Sequence, residues 1–233
     1  MKRTGQWTER AAGVRRAAAI CLLISVVIGC ASVRPPSSSA PPGSSIKKSS
    51  EAPAGSSAKA VSPASYQQGI AYFEQGQFEA AQRIFESLIF SHPDRIEFHN
   101  ALGVLFRRRG MPDKAVSEYT MAISIAESSS AASSNRTVAS ELYNNLAIAH
   151  RESGKFKTAE EAYRKAITLN PNFATAYYNL GVLYDLYLNQ PLDAVQCFRE
   201  FERLAGRNQT VDVWIADLEQ RIARRTGDAS GRH

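Results

Sequence analysis

Along residues 66–201 small residues recur periodically, each followed twelve or thirteen positions later by a second small residue and then by a large aromatic one. Gly69, Gly103, Ala147 and Gly181 are separated by 34, 44 and 34 residues, and the 44 is 34 with ten residues inserted. A period of this length marks stacked supersecondary units. Pairing Gly69 with Ala81, or Gly103 with Ala115, lets two helices approach closely, while Tyr72 with Phe85, or Phe106 with Tyr119, fills the space beside them. Gly76, Gly110 and Gly154 fall where the first helix of each unit must end, since glycine enters the left-handed cap conformation at little steric cost. Pro93 and Pro171 follow the second helices, which they could not continue. The units therefore read as helical hairpins, and because one hairpin cannot bury both of its apolar faces, they must stack.

Past Gly206 a further helix is predicted, with Val211, Trp214, Ile215, Leu218 and Ile222 on one face. Asp212 near its start and Arg221, Arg224 and Arg225 near its end suit the helix dipole. Residues 207–226 are expected to cap the apolar flank of the last hairpin, with partner binding through Trp214 as the sharper alternative, and 227–233 to form a disordered tail.

The recurring positions resemble the tetratricopeptide repeat, whose pattern runs from a large residue through Leu-Gly, an aromatic, a helix-ending Gly, an Ala and an aromatic to a Pro. The first copy shows Gly69, Tyr72, Gly76, Ala81, Phe85 and Pro93, and the second Leu102, Gly103, Phe106, Gly110, Ala115, Tyr119 and Ala122. The third shows Tyr143, Leu146, Ala147, Gly154, Ala159, Tyr163, Ala166 and Pro171. In the fourth, Tyr177, Leu180, Gly181 and Tyr184 are followed by Ala194 and Phe198, displaced by one residue. The resemblance covers about residues 62–206, with the repeats assigned to 65–206. It implies an all-α fold, a right-handed superhelical solenoid of about four helix-turn-helix hairpins plus the C-terminal capping helix. Two departures stand out. Glu127 occupies the proline position of the second copy, and the insertion at 128–138 reads as a loop or an over-long helix end. In the fourth copy Asn189-Gln190-Pro191 replaces the glycine turn with one extra residue and Phe201 stands where alanine is usual, so that hairpin is expected to pack more openly.

The N-terminus reads as an address. Basic residues ending at Arg15-Arg16 precede thirteen residues, Ala17 to Gly29, whose only polar side chain is Ser25. That run is shorter than the roughly 20 apolar residues a bilayer span needs, and it fits the central region of a secretory signal. It stops at Val27-Ile28-Gly29-Cys30, which resembles the lipobox of bacterial lipoproteins. The resemblance implies a signal peptide over 1–29, lipid on the Cys30 thiol and acylation of the new amino terminus, palmitate being a usual acyl chain. A plain secretory signal or an uncleaved anchor are the alternatives. Ala31, in place of an aspartate, implies sorting to the outer membrane of a Gram-negative envelope, facing the periplasm. Residues 31–64 contain 11 Ser, 7 Ala, 6 Pro and 2 Gly and no aromatic side chain, so 30–64 reads as lipidated cysteine plus disordered tether. As a coil it spans about 30 Å, and stretched it reaches on the order of 110 Å.

In the resembled family the first helices line a concave groove that holds extended peptides or partner helices. Carried over by position, the groove comprises Tyr66, Ile70 and Phe73; Asn100, Val104 and Arg107; Asn144, Asn145, Ile148 and Arg151; and Tyr178, Asn179, Val182 and Asp185. Arg107 and Arg151 hold equivalent positions; a guanidinium fork suits a carboxylate and asparagine amides suit an extended backbone. An acidic or C-terminal peptide is chemically plausible there, although the same residues also serve as the polar face of a solvated helix. Substituting either arginine is expected to behave as a surface change. His99 and His150 stand at packing positions with no partner at metal-ligand spacing, and Cys197 reads as a small packed hydrophobe.

Composition narrows the function. The formal charge of +6 does not indicate nucleic-acid binding, because Lys2, Arg3, Arg10, Arg15 and Arg16 against Glu9 place four of those charges in the signal segment. Three cysteines, two of them in the apolar N-terminal region, leave no internal pair for a disulfide. No metal-hydrolase histidine motif, nucleotide-binding glycine loop or Gly-x-Ser-x-Gly elbow occurs, and no cofactor or metal is implied. The expectation is a membrane-anchored scaffold for a protein or peptide partner in the cell envelope, assisting assembly of a pilus or secretion complex. An adaptor regulating a peptidoglycan hydrolase is the alternative, followed by an enzyme of unrecognised type.

Overall fold

The computed structural model describes residues 63–128 and 135–230; the signal segment, Cys30, the tether up to position 62 and positions 129–134 of the insertion lie outside the described residues, while 63–64, expected in the tether, and 227–230, expected in the tail, are helical. The helices are α1 Pro63–Glu74, α2 Phe78–Ser91, α3 Ile96–Arg108, α4 Pro112–Ser128, α5 Arg136–Glu152, α6 Phe156–Leu169, α7 Ala174–Leu183, α8 Pro191–Ala205 and α9 Gln209–Ser230. The described residues contain no strand. Four hairpins form, α1 with α2, α3 with α4, α5 with α6 and α7 with α8. Each second helix also packs on the first helix of the next pair, and successive first helices touch one another. The result is an all-α solenoid, with α9 packed on α8.

Close approach within each hairpin follows from the pairing of small and aromatic residues. Ala81, Phe85, Ala115, Tyr119, Ala159, Tyr163, Ala194 and Phe198 are all 1% exposed or less, so these positions form the core of every pair. A Cβ added at Gly103 would lie 2.6 Å from Cε1 of Tyr119, and one at Gly69 would lie equally close to Phe85. Fully burying one large side chain contributes about 1.5–3 kcal/mol.

Turn chemistry is shared by the first three hairpins. Gly76, Gly110 and Gly154 have φ between 71° and 75°. The next residue's N–H donates back across six residues, Gln77 to the Tyr72 carbonyl at 2.8 Å, Met111 to Phe106 at 2.8 Å and Lys155 to His150 at 2.9 Å. In the fourth hairpin Asn189 takes the left-handed role, with φ 54°. The extra residue expected in that turn lies instead in the preceding helix, which widens to a π turn over Tyr184–Leu188. The closing bond, Gln190 N–H to the Tyr184 carbonyl at 2.9 Å, accordingly spans one residue more than its counterparts.

The fourth hairpin does not pack openly. Leu180, Leu183, Tyr184, Ala194 and Phe198 are all at most 4% exposed. Phe201 turns its ring toward Tyr178, at a centroid distance of 5.3 Å, instead of wedging the helices apart. Without a proline at Glu127, α4 continues to Ser128. Glu127 there accepts a 2.8 Å hydrogen bond from the Tyr143 hydroxyl of α5.

Val211 and Leu218 of α9 are 1% exposed, and the Trp214 ring lies 5.7 Å from Phe198 and 6.0 Å from Tyr178. No described helix is long and apolar enough to cross a membrane.

Candidate functional site

The fourteen positions named as groove residues fall on α1, α3, α5 and α7, Asp185 in the π turn that extends α7, and the structure ties most of them to one another. Tyr66 is half-buried, its ring 6.0 Å from Phe85 and 5.5 Å from Phe98, and burial raises its pKa. Ile70, Phe73 and Val104 pack against the same apolar cluster. Ile148 and Val182 are buried. Tyr178 is covered by Phe201 and Trp214.

Two staggered series of polar contacts cross the repeats. Asn100 and Asn144 stand three residues before the small residue of their repeat, and Asn145 and Asn179 stand two before theirs. The Asn145 amide donates to Asn100 Oδ1 at 3.2 Å, and the Asn179 amide donates to Asn144 Oδ1 at 2.9 Å. Each bond thus runs from one repeat back to the repeat before it. An amide offers two N–H donors and two lone pairs; Asn144 is buried, so the capacity left for a ligand lies on the half-buried Asn100, Asn145 and Asn179.

The second series is ionic. Arg107, four residues after Gly103, donates through Nε and Nη2 to the two carboxylate oxygens of Glu152, at 3.1 and 2.9 Å. Its side chain is only 10% exposed, so it is not the surface cation expected from the sequence and its removal is not a surface change. Burial works against its charge, but the Glu152 hydrogen bond and the neighbouring Tyr119 and Glu152 charges more than offset that, and its pKa is held above the ordinary value. Asp185, four residues after Gly181, accepts from Arg221 of α9 at 2.6 Å. Arg151 occupies the same repeat position and is half-buried; its carbonyl accepts from the Gly154 N–H at 3.1 Å, but its side chain has no hydrogen bond or ion pair with any described residue.

Tyr119 and Tyr163 lie beneath these charges, and burial pushes both pKa values up to about 12. The sequence did not point to Glu152, Arg221 or the tyrosine hydroxyls. A charged residue five places after the small residue in one repeat, facing one four places after it in the repeat before, is the signal that would have found Glu152.

His99 is buried, its Nδ1 2.8 Å from Glu118 and its Nε2 3.2 Å from the Pro93 carbonyl. Nδ1 of His150 is buried without a partner, and burial, with the Lys155 charge, lowers its pKa against the opposing pull of Asp113. Burial raises the Cys197 thiol to about 12, which leaves it unreactive at neutral pH. No group of three or more His, Cys, Asp or Glu among the described residues could hold a metal ion.

Stacked hairpins tied face to face by such contacts define a helical-repeat scaffold. Residues 66–132 match the family described as tetratricopeptide repeat, and residues 147–185 match the one described as TPR repeat. The chain is a tetratricopeptide-repeat protein, and repeats of this kind generally bind protein partners. It is 28% identical over 160 residues to the type IV pilus assembly protein PilF of Pseudomonas aeruginosa, a match covering 66% of this chain and 58% of that protein. It is also 28% identical over 151 residues to the human protein O-mannosyl-transferase TMTC3, covering 63% of this chain and 16% of that one. The chain thus spans a little over half of the first relative and a small part of the second. Among solved structures, MamA superimposes with a TM-score of 0.58 at 21% identity, covering 71% of this chain and 85% of that one. Pseudomonas aeruginosa PilF superimposes with a TM-score of 0.57 at 24% identity, covering 69% and 68%.

Proposed function

We propose that this protein is a lipid-anchored, non-catalytic adaptor of the bacterial cell envelope, tethered through Cys30 to the outer membrane and facing the periplasm. In this reading it holds a protein partner against its first helices during assembly of a pilus or secretion complex. The observation that carries the assembly role is the similarity to a type IV pilus assembly protein over two thirds of this chain. The polar capacity remaining on the asparagine ladder suits a peptide or helix laid along that face. The apolar run ending at Cys30 and the Ser, Pro and Ala-rich stretch after it support the anchor.

Site-directed photo-crosslinking in cells tests the face. A crosslinker at positions 104 and 151 on first helices should trap a partner, while one at positions 121 and 161 on second helices should not; adducts from the second helices alone would defeat the reading. Radiolabelled palmitate should enter the wild-type chain and not Cys30→Ser, and equal labelling of both would remove the anchor.

A further inference from the structure

The two staggered series of contacts do not stop at the fourth repeat. Asn145 and Asn179, two residues before the small residue of their repeats, each reach back to the asparagine three before the small residue of the repeat behind. In α9 Trp214 stands two before Ala216 and sets its ring 6.0 Å from Tyr178, which stands three before Gly181. Glu152, five after Ala147, meets Arg107, four after Gly103; Arg221, five after Ala216, meets Asp185, four after Gly181. Burial keeps the same register. Val211, five before Ala216, is 1% exposed, and Phe98, Leu142 and Ala176, five before their own small residues, are at most 2% exposed.

In these contacts α9 is built as the first helix of a further repeat, with no second helix after it among the described residues. Its side toward that missing helix is polar. Asp212 and Glu219 stand where the inner repeats carry Tyr143 and Tyr184, and they are paired with Arg207 and Arg199. Its side toward the partner face is different. Val213 holds the place of Asn100, Asn144 and Tyr178, and Gln220 the place of Arg107 and Asp185. Asn100, Asn144 and Tyr178 are each met by a residue of the next helix in the series, whereas Val213 is 63% exposed. No other large apolar residue on α1, α3, α5, α7 or α9 is as exposed among the described residues.

Resting on the adaptor reading, we propose that the partner-binding face continues over α9, and that the bound segment ends its path there with an apolar side chain packed on Val213. The occupant is the protein already held by the first helices, because α9 shares their register and joins their face at Tyr178 and Asp185. The chemistry of its contact follows from Val213, which offers neither donor nor acceptor and gains only from the removal of its surface from water. The amide of Gln220, exposed on the same side, can pair with the backbone of that segment.

Photo-crosslinking of the full chain in cells separates this inference from the reading beneath it. A crosslinker at position 213 or 220 should give an adduct of the same mass as those from positions 104 and 151, whereas one at position 219, which its pairing with Arg199 places on the second-helix side, should give none. Val213→Asp should lower the adduct yield from position 104 about ten-fold, because a carboxylate cannot enter an apolar contact without losing its hydration. The same substitution should leave thermal unfolding unchanged, because the side chain is 63% exposed, and Val213→Ile should keep the yield. The inference is overturned if positions 104 and 151 trap the partner while 213 and 220 do not, if 219 traps it as well as 213 does, or if Val213→Asp leaves the yield as it was. The adaptor reading survives each of those results. An adduct from position 213 at twice the mass of the chain would make the occupant a second copy and overturn the inference as well. Loss of every first-helix adduct ends the adaptor reading and this inference with it.

Discussion

Replacing Gly103 with alanine sets two effects of opposite sign against each other, and the structure decides between them. In a helix interior alanine is favoured over glycine by about 1 kcal/mol, so propensity alone predicts a more stable protein. The new Cβ, however, would lie 2.6 Å from Cε1 of Tyr119 and 2.9 Å from its Cδ1 and Cζ, where carbon atoms prefer about 3.5–4 Å. The Tyr119 ring is 0% exposed and packed on all sides, so a shift of about 1 Å must be passed on to its neighbours. Overpacking costs about 1–3 kcal/mol, and a contact this short against a fully buried ring belongs in the upper part of that range, about 2–3 kcal/mol, which leaves Gly103→Ala destabilised by about 1–2 kcal/mol and lowers the melting temperature by about 2–8 °C. Urea and thermal unfolding followed by helical circular dichroism measure the change. Adding Tyr119→Leu, which shrinks the obstructing side chain, should recover part of the loss, so that the double substitution costs less than the two single costs added together. A Gly103→Ala protein as stable as wild type, or a strictly additive pair, would refute the close-approach argument.

Arg107→Ala and Glu152→Ala should each destabilise the fold, and a double-mutant cycle should give a coupling of about 1 kcal/mol that high salt reduces but does not abolish, because Arg107 is 10% exposed while Glu152 is 37% exposed; a coupling lost on adding salt would mean an ordinary surface pair. The pKa of His150 is lowered on folding from its ordinary value of 6.5, so as pH falls the unfolded chain takes up the proton first. Its contribution is complete above about pH 6.5 and is lost as pH falls through the folded value, so the urea midpoint should drop between pH 7.5 and pH 5.5, and an unchanged drop in His150→Phe would assign it to other groups.

The hairpins were legible because the device that builds them is local and repeated. A small residue must face an aromatic one sixteen or seventeen positions later, and both members of each pair are written in one dimension. Glycine at the three left-handed positions was legible for the same reason. The extra residue near Asn189 was legible as an insertion, but not its place: a helix absorbs a residue as a π turn when the sequence before the turn stays helix-compatible, as Tyr184–Leu188 does. The expectation of looser packing around Phe201 failed because Tyr178 of the facing helix, which also meets Trp214, offered its ring an aromatic surface. Arg107 was identified as a charged position on the partner-facing side, while its engagement by Glu152 was missed. That contact joins residues 45 apart, and the insertion between the second and third copies hides the register that would align them.

The order of helices has a consequence for self-association. Among the described residues the series opens on a first helix, α1, and ends on α9, which packs on the second helix α8 and meets Tyr178 and Asp185 of the preceding first helix. Every internal junction sets a second helix against the first helix of the next pair, yet neither end of the series presents a second helix. Two copies placed end to end through these described helices would have to join α9 to α1 with no second helix between them, whereas within the array a second helix stands between successive first helices and makes most of the contact. Head-to-tail growth into an open filament requires complementary ends, and the two ends of the described series are not complementary in this sense.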